Sequence, residues 1–227
     1  MRKPTLIFAI PMLAVAVSVM SDPARETTSP TTLPTAEFHF ARLIYQMSPY
    51  GRWWGGSSWM TDAPDAEHFF MQGIGRLSRV AGAPVNREDG DGGRIIDLHD
   101  DSIFDFPWLY AVEVGSWTLD DVEAAKLREY LLRGGFLMVD DFHGTAEWVR
   151  FVETLKQVFP NRQILEIPDQ DEVMHVLYDL DQKIQIPGIY TYFRGQTWEE
   201  DGYVPHWRGI YDDEGRLMVV INFNMDL

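Results

Sequence analysis

Strand-like apolar runs alternate with helix-like segments in the middle of this chain, and this order constrains the fold more than any other feature. Residues 108–114 form an apolar run in which Glu113 is the single charged residue. Such a run is typical of a strand buried on both faces of a sheet. A helical segment follows a cap-like Thr118 and ends at Gly134, before a second buried run at 136–139. A strand, a helix and a strand in this order predict a parallel βαβ unit with a right-handed crossover.

The same rhythm extends to both sides of this unit. From aromatic, β-branched and helical periodicity we predict strands at 38–45, 94–98 and 163–167 and helices at 65–80 and 145–158.

The last part of the chain has a different pattern. Residues 208–211 and 216–223 flank the acidic, glycine-containing turn 212–215, which predicts an antiparallel hairpin. The whole pattern predicts an α/β fold with a mostly parallel sheet, helices on both faces and a C-terminal antiparallel hairpin.

The N-terminus resembles an export signal. Arg2 and Lys3 precede an uncharged apolar run at 6–20, the arrangement of a secretory signal peptide. The run is shorter than the roughly 20 residues of a membrane-spanning helix. We predict a signal peptide at 1–21 and a periplasmic or secreted protein. The alternative is an uncleaved leader, in which residues 6–20 anchor the protein in the inner membrane and provide its only membrane contact.

Residues 22–36 are rich in Thr, Ser and Pro, a composition that predicts an extended linker before a single α/β domain at 37–227. The chain has 19 Lys and Arg against 35 Asp and Glu, a net charge of −16. This charge argues against nucleic acid as a partner, because phosphates require basic side chains. The chain has no cysteine, which excludes disulfides, thiolate metal sites and a cysteine nucleophile.

Candidate binding residues follow from the expected sheet, because ligands of parallel sheets bind outside the carboxyl ends of the strands. The residues at those ends that we expect to bind a ligand are Trp53, Trp54, Asp62, Glu113, Asn222, Asn224 and Asp226. The Trp-rich loop can stack on a sugar or another flat ligand, or fold back over the sheet edge. The alternation from Asn222 to Asp226 predicts three polar side chains on one strand face.

Asp140, Asp141 and His143 form the densest group of potentially reactive side chains. Together with His206, in the loop before the hairpin, they are candidate catalytic residues for acid–base chemistry. Asp141 and His143 are the candidate ligands of a divalent metal; no other cofactor is indicated. The alternative is that Asp140 or Asp141 caps the next helix and His143 binds backbone.

Three segments, 38–43, 130–142 and 208–222, together with Pro187-Gly188-Ile189, resemble a bacterial domain of unknown function (number 4159). The resemblance implies small exported or membrane-anchored proteins, or C-terminal parts of longer membrane proteins. It also implies a flavodoxin-like three-layer sandwich, similar to the class I glutamine amidotransferase-like superfamily. Amidotransfer needs a cysteine that this chain lacks. The resemblance further implies that the polar run after Asp226 would continue. It does not indicate which reaction, if any, the domain catalyses.

Two functions remain open. We expect a non-catalytic ligand-binding or assembly module of the bacterial cell envelope, with an envelope protein or a glycan as partner. The alternative is a metal-assisted hydrolase or related enzyme acting on a carbohydrate or envelope polymer.

Overall fold

A seven-stranded sheet is the centre of the domain in the computed structural model, which describes residues 36–48, 58–180 and 182–226. The strands, in chain order, are β1 (Ala41–Ile44), β2 (Gln46–Met47), β3 (Arg94–Asp97), β4 (Trp108–Val112), β5 (Trp117–Thr118), β6 (Phe136–Phe142), β7 (Leu165–Glu166), β8 (His206–Tyr211) and β9 (Leu217–Phe223). The sheet has the order β3-β1-β4-β6-β9-β8-β7, and β2 pairs separately with β5.

Strand direction confirms a mostly parallel sheet with an antiparallel C-terminal pair. Strands β3, β1, β4, β6 and β9 are parallel. Strand β8 runs antiparallel to β9 and to β7. The predicted strand at 163–167 is reduced to the two residues of β7, which add to the sheet edge beside β8.

The helices are α1 (Asp65–Leu77), α2 (Asp121–Leu132), α3 (Gly144–Val158) and α4 (Ile189–Phe193). Short 3-10 helices lie at Ser58–Met60, Asp101–Asp105, Val114–Ser116 and Glu172–His175. None of the helices in the described part of the chain has the length and hydrophobicity needed to cross a membrane.

The start of α2 corrects the predicted cap. Asp120, not Thr118, is the N-cap, and its side chain accepts hydrogen bonds from the backbone N–H groups of Val122 and Glu123. The Glu123 carboxylate accepts the Asp120 N–H at 2.7 Å, which completes a capping box. The Asp120 carboxylate supplies the side-chain oxygen acceptor that was expected from Thr118, so the capping box begins two residues later than predicted.

The two faces of the sheet carry separate apolar clusters, as the alternation of side chains along a strand requires. On β4, Leu109 and Ala111 belong to a large cluster that includes residues of α2 and α3. Trp108 and Tyr110, on the opposite face, pack in a second cluster that includes Met71 of α1. This second cluster is rich in aromatic rings and forms one wall of the site described below.

Candidate functional site

Four of the non-glycine residues with left-handed backbone lie before α1 or within or just after the central strands. They are Asp62 (φ 58°), Glu113 (φ 56°), Asp141 (φ 52°) and Asn224 (φ 62°). Side-chain-bearing residues adopt this region at an energetic cost, and they cluster at functional sites. Asp141 also lies in a register shift between β6 and β9, at a position where bulges redirect side chains.

Three carboxylates meet beside these strand ends. Each of Asp62, Asp141 and Asp226 places one oxygen within 4.8 Å of an oxygen of the other two; we call them the acidic cluster. Asp62 precedes α1, Asp141 lies in β6 and Asp226 follows β9. The sheet therefore assembles the cluster from residues far apart in the sequence.

Glu199 lies next to the acidic cluster, at a point where the chain needs a glycine. A Cβ atom added to Gly188 would lie 2.6 Å from Asp226 Oδ2 and 2.9 Å from Glu199 Oε1. These two carboxylates therefore occupy the space that a side chain at position 188 would fill. The Pro187-Gly188-Ile189 segment is thus shaped around the acidic cluster.

The cluster lacks enough positive charge to keep all of its carboxyl groups ionised. Burial, with the charges of Asp141 and Asp62, raises the pKa of Asp226 to about 7. Burial and the Asp141 charge also raise the pKa of Asp62. A cation placed among these groups would replace a proton on Asp226 and relieve their mutual repulsion.

Arg42 holds the segment that carries Asp62. Its guanidinium is buried, forms an ion pair with Glu67 of α1, and donates from Nη1 to the carbonyls of Trp59 at 2.9 Å and Thr61 at 3.0 Å. The Arg42 guanidinium carbon also lies 5.1 Å from the centre of the Tyr110 ring. A buried ion pair between β1 and α1 thus fixes the turn that places Asp62.

His143 contacts the acidic cluster through Asp141. Its Nε2 lies 3.1 Å from Asp141 Oδ1. Burial alone would lower the pKa of His143, but the hydrogen bond and charge of Asp141 outweigh it and raise this pKa. The predicted proximity of Asp141 and His143 is therefore present in the structure.

An apolar cleft of about 570 Å³ opens next to the acidic cluster. Asp62 and Asp226 lie at its wall. The remaining lining is largely aromatic and aliphatic: Phe40, Asp65, Ala66, Phe69, Phe70, Tyr110, Met138, Ile186, Pro187, Ile189 and Tyr192. A cleft of this composition suits a ligand with an apolar body and one positively charged group.

The acidic cluster also has the ligand type of a divalent cation site. Mg²⁺ and Ca²⁺ bind carboxylate oxygens at about 2.0–2.6 Å, and three oxygens within 4.8 Å of one another fit around one such ion. The oxygens belong to Asp62, Asp141 and Asp226. Of the two predicted metal ligands, Asp141 belongs to this set, and His143 reaches it through Asp141.

The four candidate catalytic residues have different interaction partners. Asp140 is buried, and the Tyr110 hydroxyl donates to its Oδ2 at 3.2 Å. His206 Nδ1 lies 2.7 Å from Glu166 of β7. Within this group, Asp141 and His143 contact each other directly.

Asn224 and Asp201, rather than Asp140 or Asp141, accept the N–H groups at the start of α3. Asn224 Oδ1 accepts the Gly144 N–H at 2.9 Å and Asn224 Nδ2 donates to the Val204 carbonyl at 2.7 Å. Strand β9 ends at Phe223, so the expected polar strand face from Asn222 to Asp226 does not form. Asp226 instead reaches the acidic cluster.

The other predicted binding residues have different outcomes. Glu113 directly follows β4, where its carbonyl accepts a hydrogen bond from the Tyr45 hydroxyl at 3.1 Å. Asn222 is buried within β9. Trp53 and Trp54 lie outside the described residues. Glu199 was not predicted, because it follows no predicted strand. The Pro187-Gly188-Ile189 motif, which packs against it, was the available indication in the sequence.

Comparison with known protein families gives a match. A family described as "Domain of unknown function (DUF4159)" matches residues 39–227. No curated protein matches the chain.

Proposed function

The chain belongs to this family of domains of unknown function, and on that premise we propose that its domain is a non-catalytic ligand-binding module of the bacterial cell envelope. Its ligand carries a positive group on an apolar body. The observation that carries the proposal is the position of Asp62 and Asp226, two members of the acidic cluster, at the wall of a largely apolar cleft.

The two parts of the site favour the same ligand. The rings of Phe40, Phe70 and Tyr110 offer apolar surface for the body of the ligand. Asp62, which is exposed, and Asp226, which is partly buried, offer negative charge for its positive end. Asp140 and His206 interact with Tyr110 and Glu166, which lie outside the acidic cluster, and this favours binding over catalysis.

We further propose that the domain has flavodoxin-like layering, similar to the class I glutamine amidotransferase-like superfamily. In support, the parallel strands β3, β1, β4, β6 and β9 follow the flavodoxin-type order, with the first strand between the second and third. Ligands of such sheets bind where the order reverses, here between β1 and β4. The cleft lining includes Tyr110 of β4 and Phe40, which precedes β1.

Phenethylamine, an ammonium on a flat apolar body, tests the proposed function. We expect calorimetric titration at pH 8 to detect its binding, and 2-phenylethanol, which lacks the charge, to bind at least about tenfold more weakly, a difference of roughly 1.4 kcal/mol. Asp226→Asn should reduce phenethylamine affinity by about tenfold or more. Asp213→Asn, on the exposed hairpin turn, makes the same change of charge away from the cleft and should leave affinity unchanged. Equal affinity for the two compounds would refute the proposal, as would an Asp226→Asn variant with the phenethylamine affinity of the wild type.

A metal-assisted hydrolase is the second candidate, favoured by the three carboxylate oxygens within 4.8 Å and by His143 on Asp141. The same titrations separate the two functions. Competition of Mg²⁺ or Ca²⁺ with phenethylamine, together with turnover of a cell-wall glycan that Asp141→Asn abolishes, would favour the enzyme. Phenethylamine binding without turnover favours the binding module.

A further inference from the structure

We infer that the positive group in the cleft is the side chain of a lysine or arginine of a partner protein, whose neighbouring residues lie on the exposed surface of α4. This inference rests on the proposed function and names the class of its ligand.

Helix α4 presents large apolar side chains to solvent. Tyr190 is 79% exposed and Phe193 is 76% exposed, and Ile189 and Tyr192 are also exposed. Thr191 alone is buried. We call Ile189, Tyr190, Tyr192 and Phe193 the α4 surface. Contiguous exposed apolar side chains on a folded domain mark interaction sites, and Tyr and Phe are enriched at protein–protein interfaces.

The α4 surface is continuous with the cleft. Ile189 and Tyr192 line the cleft, whereas Tyr190 and Phe193 are not part of its lining. An extended ligand that enters the cleft would therefore continue onto Tyr190 and Phe193. A small amine would fill the cleft without reaching them.

Two hydrogen bonds connect the α4 segment with Asp226 and with the neighbouring Glu199. The Asp226 N–H donates to the Ile186 carbonyl at 2.9 Å. The Thr191 hydroxyl donates to Glu199 Oε1 at 2.7 Å. The apolar surface and the carboxylates thus form one preorganised unit, which reduces the entropy lost on binding.

Charge complementarity identifies a basic partner. The chain has a net charge of −16, which attracts basic proteins and raises their association rate. Lys and Arg bury an aliphatic stem and keep their charged end in a polar setting. The apolar cleft wall and the carboxylates of Asp62 and Asp226 match these two parts.

The lining favours a protein over a glycan. Met138, Ile186 and Pro187 present apolar side chains, and the exposed part of α4 adds Ile189 and Phe193. Sugar hydroxyl groups need polar partners in greater number than this surface offers. A cationic glycan is therefore the competing outcome of the test.

The test compares three probes on the whole chain by calorimetry at pH 8. The first is a pentapeptide with a central lysine between two leucines, the second has norleucine in place of the lysine, and the third is an N,N,N-trimethylated chitosan tetramer, which keeps its positive charge at pH 8. We expect the lysine peptide to bind at least about tenfold more tightly than the other two. The double variant Tyr190→Ala with Phe193→Ala should bind the lysine peptide about tenfold more weakly. Its affinity for phenethylamine should be unchanged.

Each other result overturns the inference. If phenethylamine binds and the lysine peptide does not, or if the double variant binds the peptide as well as the wild type does, the cleft takes a small amine and the proposed function stands alone. Preferential binding of the chitosan tetramer identifies a glycan ligand. If neither phenethylamine nor the peptide binds, both the inference and the proposed function fail.

Discussion

At the residue scale, the Asp226 carboxyl group shows how burial and repulsion act on one side chain. Its pKa is raised to about 7 by burial and by the charges of Asp141 and Asp62. An Asp in the unfolded chain titrates near 3.9. The folded chain therefore holds an extra proton between about pH 4 and pH 7, and the stability that this proton provides is lost as the pH rises through about 7.

We predict that Asp226→Asn flattens the dependence of stability on pH. The amide has similar volume and no charge, so the variant should lose less stability than the wild type between pH 5 and pH 8, and should be the more stable protein at pH 8. Thermal unfolding followed by circular dichroism at four pH values measures this. Asp213→Asn should keep the wild-type slope; parallel curves for the wild type and Asp226→Asn would contradict the prediction.

Only part of the site was predictable residue by residue. Asp141 and His143 are two residues apart, so their contact is local and visible in the sequence. Asp62 and Asp226 followed from the rule for strand ends. Glu199 lies on an irregular segment whose path depends on the packing of Gly188 against two carboxylates, and no periodicity encodes that packing.

At the scale of elements, α1 forms one wall of the cleft although it contains two glycines. Gly73 and Gly75 lie in the helix, and a Cβ atom added to either would contact nothing within 4 Å. The helical periodicity that predicted α1 was therefore informative despite these glycines. The helix buries Met71 against the sheet, and this packing offsets the low helix propensity of glycine.

We predict that Gly73→Ala and Gly75→Ala each stabilise the domain by about 1 kcal/mol, the difference in helix propensity between the two residues. Urea unfolding measures the change. Gly134→Ala is the matched control, because a Cβ there also meets nothing within 4 Å but the backbone has φ +110°. That variant should be destabilised, so equal effects at positions 73 and 134 would disprove the helix-propensity explanation.

Short elements were the least predictable from the sequence. Strand β7 has two residues, both exposed at the sheet edge, and α4 has five. Neither is long enough to show a period of two or of 3.6 residues. Both depend on tertiary contacts, such as the pairing of β7 with β8.

At the scale of the whole molecule, the sequence predicts an export segment at 1–21, outside the described residues. We predict that expression of the full chain in a bacterium yields periplasmic protein whose first residue is Asp22, as measured by mass spectrometry after cell fractionation. Replacement of Arg2 and Lys3 by Glu should reduce export, because the positive start is part of the signal. Full-length protein in the membrane fraction would instead support the uncleaved anchor.

The left-handed backbone of Asp62 and Asp141 bears on how this domain can evolve. Glycine would adopt the backbone of Asp62 or Asp141 without strain, but it would delete a carboxylate. Selection for heat tolerance therefore favours glycine at these positions, and selection for recognition of a positive ligand favours aspartate. A lineage that no longer uses the cleft should drift toward glycine there.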